Sequence, residues 1–85
     1  MSQISIKIFS TKYCGYCARA KDFFQSKGLQ FTEVDLTENS EELNRLVQKT
    51  GHKTVPQIFF GDRFVGGYTE LMESLKRGEV KLPVK

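Results

Sequence analysis

Two cysteines three residues apart, in Lys12-Tyr13-Cys14-Gly15-Tyr16-Cys17, follow directly on the alternating segment Ile4-Ser5-Ile6-Lys7-Ile8-Phe9. That junction constrains the fold more than any other feature of the chain. Ile4, Ile6 and Ile8 fall on one face of an extended strand, with Ser5 and Lys7 on the other. Beyond the cysteines the apolar period changes. Cys17, Ala20, Phe23 and Phe24 recur at spacings of three and four, the stripe of an amphipathic helix running from Gly15 to about Lys27. Gly28 supplies its stop. A strand that runs into a helix carrying C-x-x-C in its first turn is the arrangement of a dithiol redox site.

The remaining pattern completes one small domain. Phe31 to Leu36 reads as a second strand. Asn39 with Glu42 forms a capping box ahead of a second helix carrying Leu43, Leu46 and Val47, and Gly51 ends it. Gln57 to Phe60 and Arg63 to Val65 read as a hairpin turning at Gly61-Asp62. Thr69 is the expected N-cap of a last helix with Leu71, Met72 and Leu75, closed by Gly78. The tail to Lys85 is polar and expected to be loose. The order β-α-β-α-β-β-α predicts a single α/β domain over residues 1–85, a mixed four-stranded sheet with three flanking helices. The first β-α-β unit requires a right-handed crossover and therefore a parallel strand pair.

Chemistry at the cysteine pair follows from this placement. Residues three apart share a helix face, so Cys14 and Cys17 can pass between dithiol and disulfide with little backbone movement. Cys14 stands at the helix start, where unpaired backbone N–H groups and the helix dipole favour thiolate over thiol. Cys17 lies one turn inside and is more shielded. Cys14 is therefore the expected nucleophile and Cys17 the resolving thiol. A zinc site needs four ligands, and the chain has no third cysteine and only His52. Composition excludes other classes. The net charge of +3 is spread over Lys and Arg interleaved with Asp and Glu, which gives no footprint for nucleic acid. No apolar run approaches the roughly 20 residues of a membrane span, and no signal-peptide pattern opens the chain. A lone cysteine pair fits a reducing compartment, so the expected location is cytoplasmic.

Three separated segments carry a family resemblance: Cys14-Gly15-Tyr16-Cys17, Thr54-Val55-Pro56-Gln57-Ile58-Phe59, and Val65-Gly66-Gly67-Tyr68-Thr69-Glu70-Leu71. In this order and spacing the chain resembles a small dithiol glutaredoxin of the thioredoxin superfamily, over nearly its whole length. The resemblance implies a thioredoxin-like fold and glutathione as co-substrate. It also implies reduction of protein disulfides and of glutathionylated proteins. It places glutathione on Lys12, Tyr16, Thr54, Val55, Pro56, Gly67, Tyr68, Thr69 and Glu70. The Val55–Pro56 bond is cis in the family. Backbone groups of Thr54 and Val55, at a strand edge, would pair with the cysteinyl backbone of glutathione. The start of the last helix at Thr69 would hold the γ-glutamyl carboxylate, with Glu70 meeting the ammonium. Lys12, one position from the usual lysine, would take the glycine carboxylate, with His52 and Lys53 as alternatives.

Two further readings belong to the same resemblance. Gly15 stands where the commonest motif has Pro. Some family variants at this position bind a [2Fe-2S] cluster between two protomers through the first cysteine, here Cys14, so a cluster scaffold or sensor stays open. Otherwise a monomer is expected. A carrier reduced by thioredoxin reductase and dedicated to ribonucleotide reductase is the other alternative, and the glutathione-site residues weigh against it.

Overall fold

The alternation of the first strand becomes the two faces of a sheet. In the computed structural model, which describes residues 5–80 and residue 82, β1 spans Ile6–Ser10 and buries Ile6 and Ile8 on one side. The strand start read at Ile4, and the tail apart from Leu82, lie outside the described residues. The elements that follow are α1 (Gly15–Ser26), β2 (Thr32–Asp35), α2 (Ser40–Thr50), β3 (Gln57–Phe60), β4 (Arg63–Gly66) and α3 (Tyr68–Arg77). The strands lie in the order β2-β1-β3-β4. β1 and β2 are parallel, as the crossover demands, and β1–β3 and β3–β4 are antiparallel. The second strand is shorter than its sequence pattern: Phe31 precedes it, and Leu36 follows it while still donating its N–H to the Ser10 carbonyl at 2.8 Å.

Register explains the core. Ile8 faces Ile58 and Ile6 faces Phe60 across β1–β3, so four apolar side chains form one patch on the sheet. Ala20 and Phe24 from α1, Leu71 from α3 and Val80 close over that patch. Phe24 sits at its centre, fully buried, with its ring 5.8 Å from that of Phe31 and 6.2 Å from that of Phe60. The opposite face of the sheet carries a row of rings, Phe9–Phe59–Phe64, at centroid spacings of 5.7 and 5.2 Å. Leu46, the buried residue of α2, borders a groove with Phe9 and Phe59 on that side.

Helix ends follow side-chain chemistry. Asn39 accepts the Glu42 N–H at 3.2 Å and starts α2, and Gly51 ends it with φ +74°. One predicted cap is wrong. α3 begins at Tyr68, and its N-cap is Gly67 rather than Thr69. Glu70 reaches back from the third helical position to accept the Gly67 N–H at 2.9 Å, which draws the helix start two residues forward.

The packing around Phe24 makes it the most costly core truncation. Phe24→Ala should lower the unfolding free energy by about 3–5 kcal/mol in a denaturant titration. Phe23→Ala, at a half-buried position beside it, should cost clearly less.

Candidate active site

Cys14 is the N-cap of α1, with extended backbone (φ −111°, ψ 108°), and its position at the end of the β1–α1 connection leaves it half-buried. Its Sγ accepts the Cys17 N–H at 3.1 Å, doing for this helix what a serine or aspartate oxygen does elsewhere. The Cys14 thiol donates to the Val55 carbonyl at 3.3 Å, tying the helix start to the segment ahead of β3. Cys17 is on the inward face of the first turn and only 1% exposed. Both cysteines are free thiols. Burial pushes the Cys17 thiol up to about 12, with Cys14 adding to the rise and the Thr11 backbone and Lys21 opposing it. The two sulfurs are thus unlike. One is reachable and receives a helix N–H, and the other is shielded and protonated at neutral pH.

A groove opens beside Cys14. Tyr16 from α1 forms one wall, Thr54, Val55 and Pro56 the floor, and Gly67, Tyr68, Thr69 and Glu70 at the start of α3 the far side. Of the residues assigned to a ligand from sequence, the fold gathers all these into one place and leaves out Lys12. The Lys12 side chain is exposed on the β1–α1 connection and its backbone N–H donates to Thr37 Oγ1 at 2.8 Å. His52 lines the groove, with Nε2 3.2 Å from Thr54 Oγ1, while Lys53 is exposed and does not. The Val55–Pro56 bond is cis. Thr54 and Val55 are not at a sheet edge, since they precede β3, an interior strand; their backbone is accessible because the ladder has not yet begun.

Two devices hold the groove in shape. Gln57 is fully buried, and its amide N–H groups donate to the carbonyls of His52 at 2.6 Å and Thr54 at 3.3 Å. Its Oε1 accepts from Thr50 Oγ1 at 2.8 Å. One side chain thereby fastens the end of α2 and the 52–54 segment to β3. Sequence reading passed over Gln57, although a glutamine in an otherwise apolar strand was the available signal. The second device is the Gly66-Gly67 pair. Gly66 has φ +120°, and a Cβ there would stand 2.7 Å from Glu70 Cβ. A Cβ on Gly67 would lie 3.0 Å from Glu70 Oε1 and 3.1 Å from His52 Nε2. The wall is completed by the stacked rings of Tyr16 and Tyr68, 6.1 Å apart and inclined by 29°, with the Arg19 guanidinium over Tyr16 at 5.3 Å.

The family model described as Glutaredoxin matches residues 6–65, more than half of the chain. The chain belongs to the glutaredoxin family. It is 37% identical over 75 residues to a glutaredoxin of Pseudomonas aeruginosa, covering 88% of this chain and 89% of that protein. It is 34% identical over 74 residues to glutaredoxin 3 of Escherichia coli, covering 87% and 89%. Among solved structures, the buckwheat glutaredoxin–glutathione complex superposes with a TM-score of 0.80 at 34% identity, covering 89% of this chain and 72% of that one. The fold of this glutaredoxin is thioredoxin-like, and its general activity is that of a thiol–disulfide oxidoreductase.

Both supports of the groove can be tested separately from the sulfurs. Gln57→Leu removes the partner of buried polar atoms and should cost about 1–3 kcal/mol. Amide exchange at residues 52–54 should accelerate while the centre of α1 stays protected. Gly66→Ala forces a side chain into a φ that disfavours it and against Glu70. It should cost about 1–3 kcal/mol in thermal or denaturant unfolding.

Proposed function

We propose that this glutaredoxin draws electrons from glutathione to reduce protein disulfides and protein–glutathione mixed disulfides. The observation that carries the reading is the groove itself. It adjoins the exposed sulfur and offers unlike recognition groups at spaced positions. The first-turn N–H groups of α3, at Tyr68 and Thr69, suit the γ-glutamyl carboxylate. Glu70 uses Oε1 on Gly67, which leaves its other oxygen for the adjacent ammonium. The Val55 backbone suits the cysteinyl residue, beside Cys14. His52 lines the groove at the Gly67–Glu70 end, the side assigned to the γ-glutamyl group, and Lys12 lies outside the lining, so the groove residues assign no partner to the glycine carboxylate. The buckwheat relative's glutathione complex supports the same ligand here.

The chemistry balances as successive exchanges. The Cys14 thiolate attacks the glutathionyl sulfur of a mixed disulfide, a new Cys14–glutathione disulfide forms, and the substrate protein leaves as a thiolate that takes a proton from solvent. A second glutathione thiolate then attacks the glutathionyl sulfur on Cys14, giving glutathione disulfide and restoring the Cys14 thiolate. With a protein disulfide, Cys14 attacks first and Cys17 attacks Cys14 in turn. That closes the Cys14–Cys17 disulfide and releases the reduced substrate; one glutathione thiolate then opens this disulfide by attack on Cys14, and a second attacks the glutathionyl sulfur, giving glutathione disulfide and the dithiol. A carrier dedicated to ribonucleotide reductase and served by thioredoxin reductase has no use for such a groove.

The test is NADPH-coupled turnover of a glutathione mixed disulfide with glutathione and glutathione reductase. Cys14→Ser should abolish it. Cys17→Ser should retain turnover of the mixed disulfide and lose the reduction of protein disulfides. Absence of turnover in the folded, reduced parent protein would overturn the reading.

A further inference from the structure

Beneath the cysteine pair lies a charged cluster that the reaction described so far does not use. Lys21 follows Cys17 by four residues on α1, so the two side chains share a face of the helix. Lys21 Nζ is 2.8 Å from Glu33 Oε2 on β2. Ser10, at the end of β1 and 1% exposed, donates to the same oxygen at 2.6 Å. Three elements therefore converge to hold one ammonium on the helix face that carries the buried Cys17 one turn earlier. Elsewhere among the described residues, ion pairs are exposed and join near neighbours in sequence, Arg45 with Glu42 and Arg77 with Glu79. Such pairs contribute little. The Lys21–Glu33 pair differs: its side chains are 30% and 36% exposed and it is locked by a buried hydroxyl.

We propose that Lys21, anchored by Glu33 and Ser10, is a positioning residue for the resolving step: it stabilises the Cys17 thiolate as that thiolate forms to attack Cys14. The inference rests on the assignment of Cys17 as resolving thiol. The step has a specific electrostatic need. A buried thiol must lose a proton to solvent and carry negative charge before it attacks the mixed disulfide on Cys14. The bond from Cys14 to the substrate sulfur breaks, the Cys14–Cys17 bond forms, and the bonding electron pair leaves with the substrate thiolate. The groups bearing on Cys17 are few. Cys14 opposes its ionisation while it is itself an anion, and that opposition ends once Cys14 is joined to substrate. The Thr11 backbone and Lys21 favour the anion. From β2, Glu33 and Asp35 act on Lys21 and keep it protonated. Glu33 in turn is held as an anion by Lys21 and Ser10, its carboxyl lying below its ordinary range. The fixed positive charge on the resolving sulfur is thus Lys21, and its orientation depends on two residues from neighbouring strands.

The experiment isolates the resolving step. The reduced full chain is mixed with dithiobis(nitrobenzoate), which places a nitrothiobenzoate group on Cys14 in a phase whose rate depends on reagent concentration. Attack by Cys17 then releases the second nitrothiobenzoate in a concentration-independent phase. In Lys21→Met that second phase should slow about tenfold at pH 7, and its pH profile should move upward by about one unit. Lys21→Arg should restore most of the rate. The first phase and the monothiol turnover of Cys17→Ser should not change when Lys21→Met is added. The double variant Lys21→Met/Glu33→Gln removes both charges and leaves no unpaired carboxylate, and its second phase should remain slow. An unaltered second phase in Lys21→Met overturns the inference, as does recovery in the double variant, which would make the pair merely structural. A second phase that persists in Cys17→Ser would instead overturn the resolving assignment.

Discussion

Placing a cysteine sulfur where a helix needs its cap is the constraint from which the site follows. At the end of β1 the chain must turn into α1, and the first N–H groups of that helix have no partner of their own. Cys14 Sγ takes one of them, from Cys17. This single contact sets three properties together. It holds the reactive sulfur at the positive end of the helix, it keeps that sulfur at the rim of the protein, and it places the second cysteine one turn inward, against the core. The asymmetry between an accessible sulfur and a shielded one is therefore a consequence of where the helix starts. A start one residue later would move the cap to Gly15, which has no side chain to serve.

The groove beside Cys14 depends on a second kind of constraint, the fastening of an irregular segment by side-chain hydrogen bonds. The segment from His52 to Pro56 belongs to no helix or strand, and it passes close to Cys14. A loop in such a position carries carbonyls that would otherwise lack partners. Gln57 supplies them from within the first residue of β3. Its amide does the work of a missing strand neighbour, and the Thr50 hydroxyl completes the set. Rigidity in this segment matters for exchange chemistry, because the attacking sulfur, the central sulfur and the leaving sulfur must line up. The Cys14–Val55 contact ties this segment directly to the helix start.

How much of this was legible in the sequence varies with the range of the interaction involved. Period-two alternation at Ile6 and Ile8, the 3–4 spacing through Cys17, Ala20 and Phe24, and the Asn39–Glu42 box are local signals, and each placed its element within a residue or two. The residues assigned to glutathione from the three motif segments line one groove, while Lys12, assigned by its position near Cys14, lies on the connection outside it. Thr69 was mistaken for a cap because its hydroxyl can accept a first-turn N–H and Gly67 has no side chain to do so. That advantage was overridden by Glu70, whose reach to the Gly67 N–H is a reciprocal signal three residues away. Gln57 stood out as a glutamine in an apolar strand, but what it binds, like the Ser10–Glu33–Lys21 cluster, was illegible for a different reason. Their partners come from separate elements, and nothing in a linear pattern distinguishes a glutamate bound for a buried serine from one facing solvent.

Glu70 shows how fold and recognition compete for one side chain. As the third residue of α3 it is the right length to return to the Gly67 N–H, and a shorter acid would fall short of that geometry. Gly66 and Gly67 have to be glycines largely because Glu70 folds back over them, with its Cβ and Oε1 filling the space where their side chains would stand. The same folding back brings its carboxylate to the lip of the groove, beside His52. The charge that stabilises the helix start is thereby also a lining group of the groove. The stacked tyrosines work in the same way. Tyr68 is the first residue of the helix that Glu70 caps, so the position of its ring against Tyr16 depends on that cap. The groove is accordingly one cooperative structure, in which the helix start, the glycine pair and the aromatic wall are placed by the same hydrogen bond.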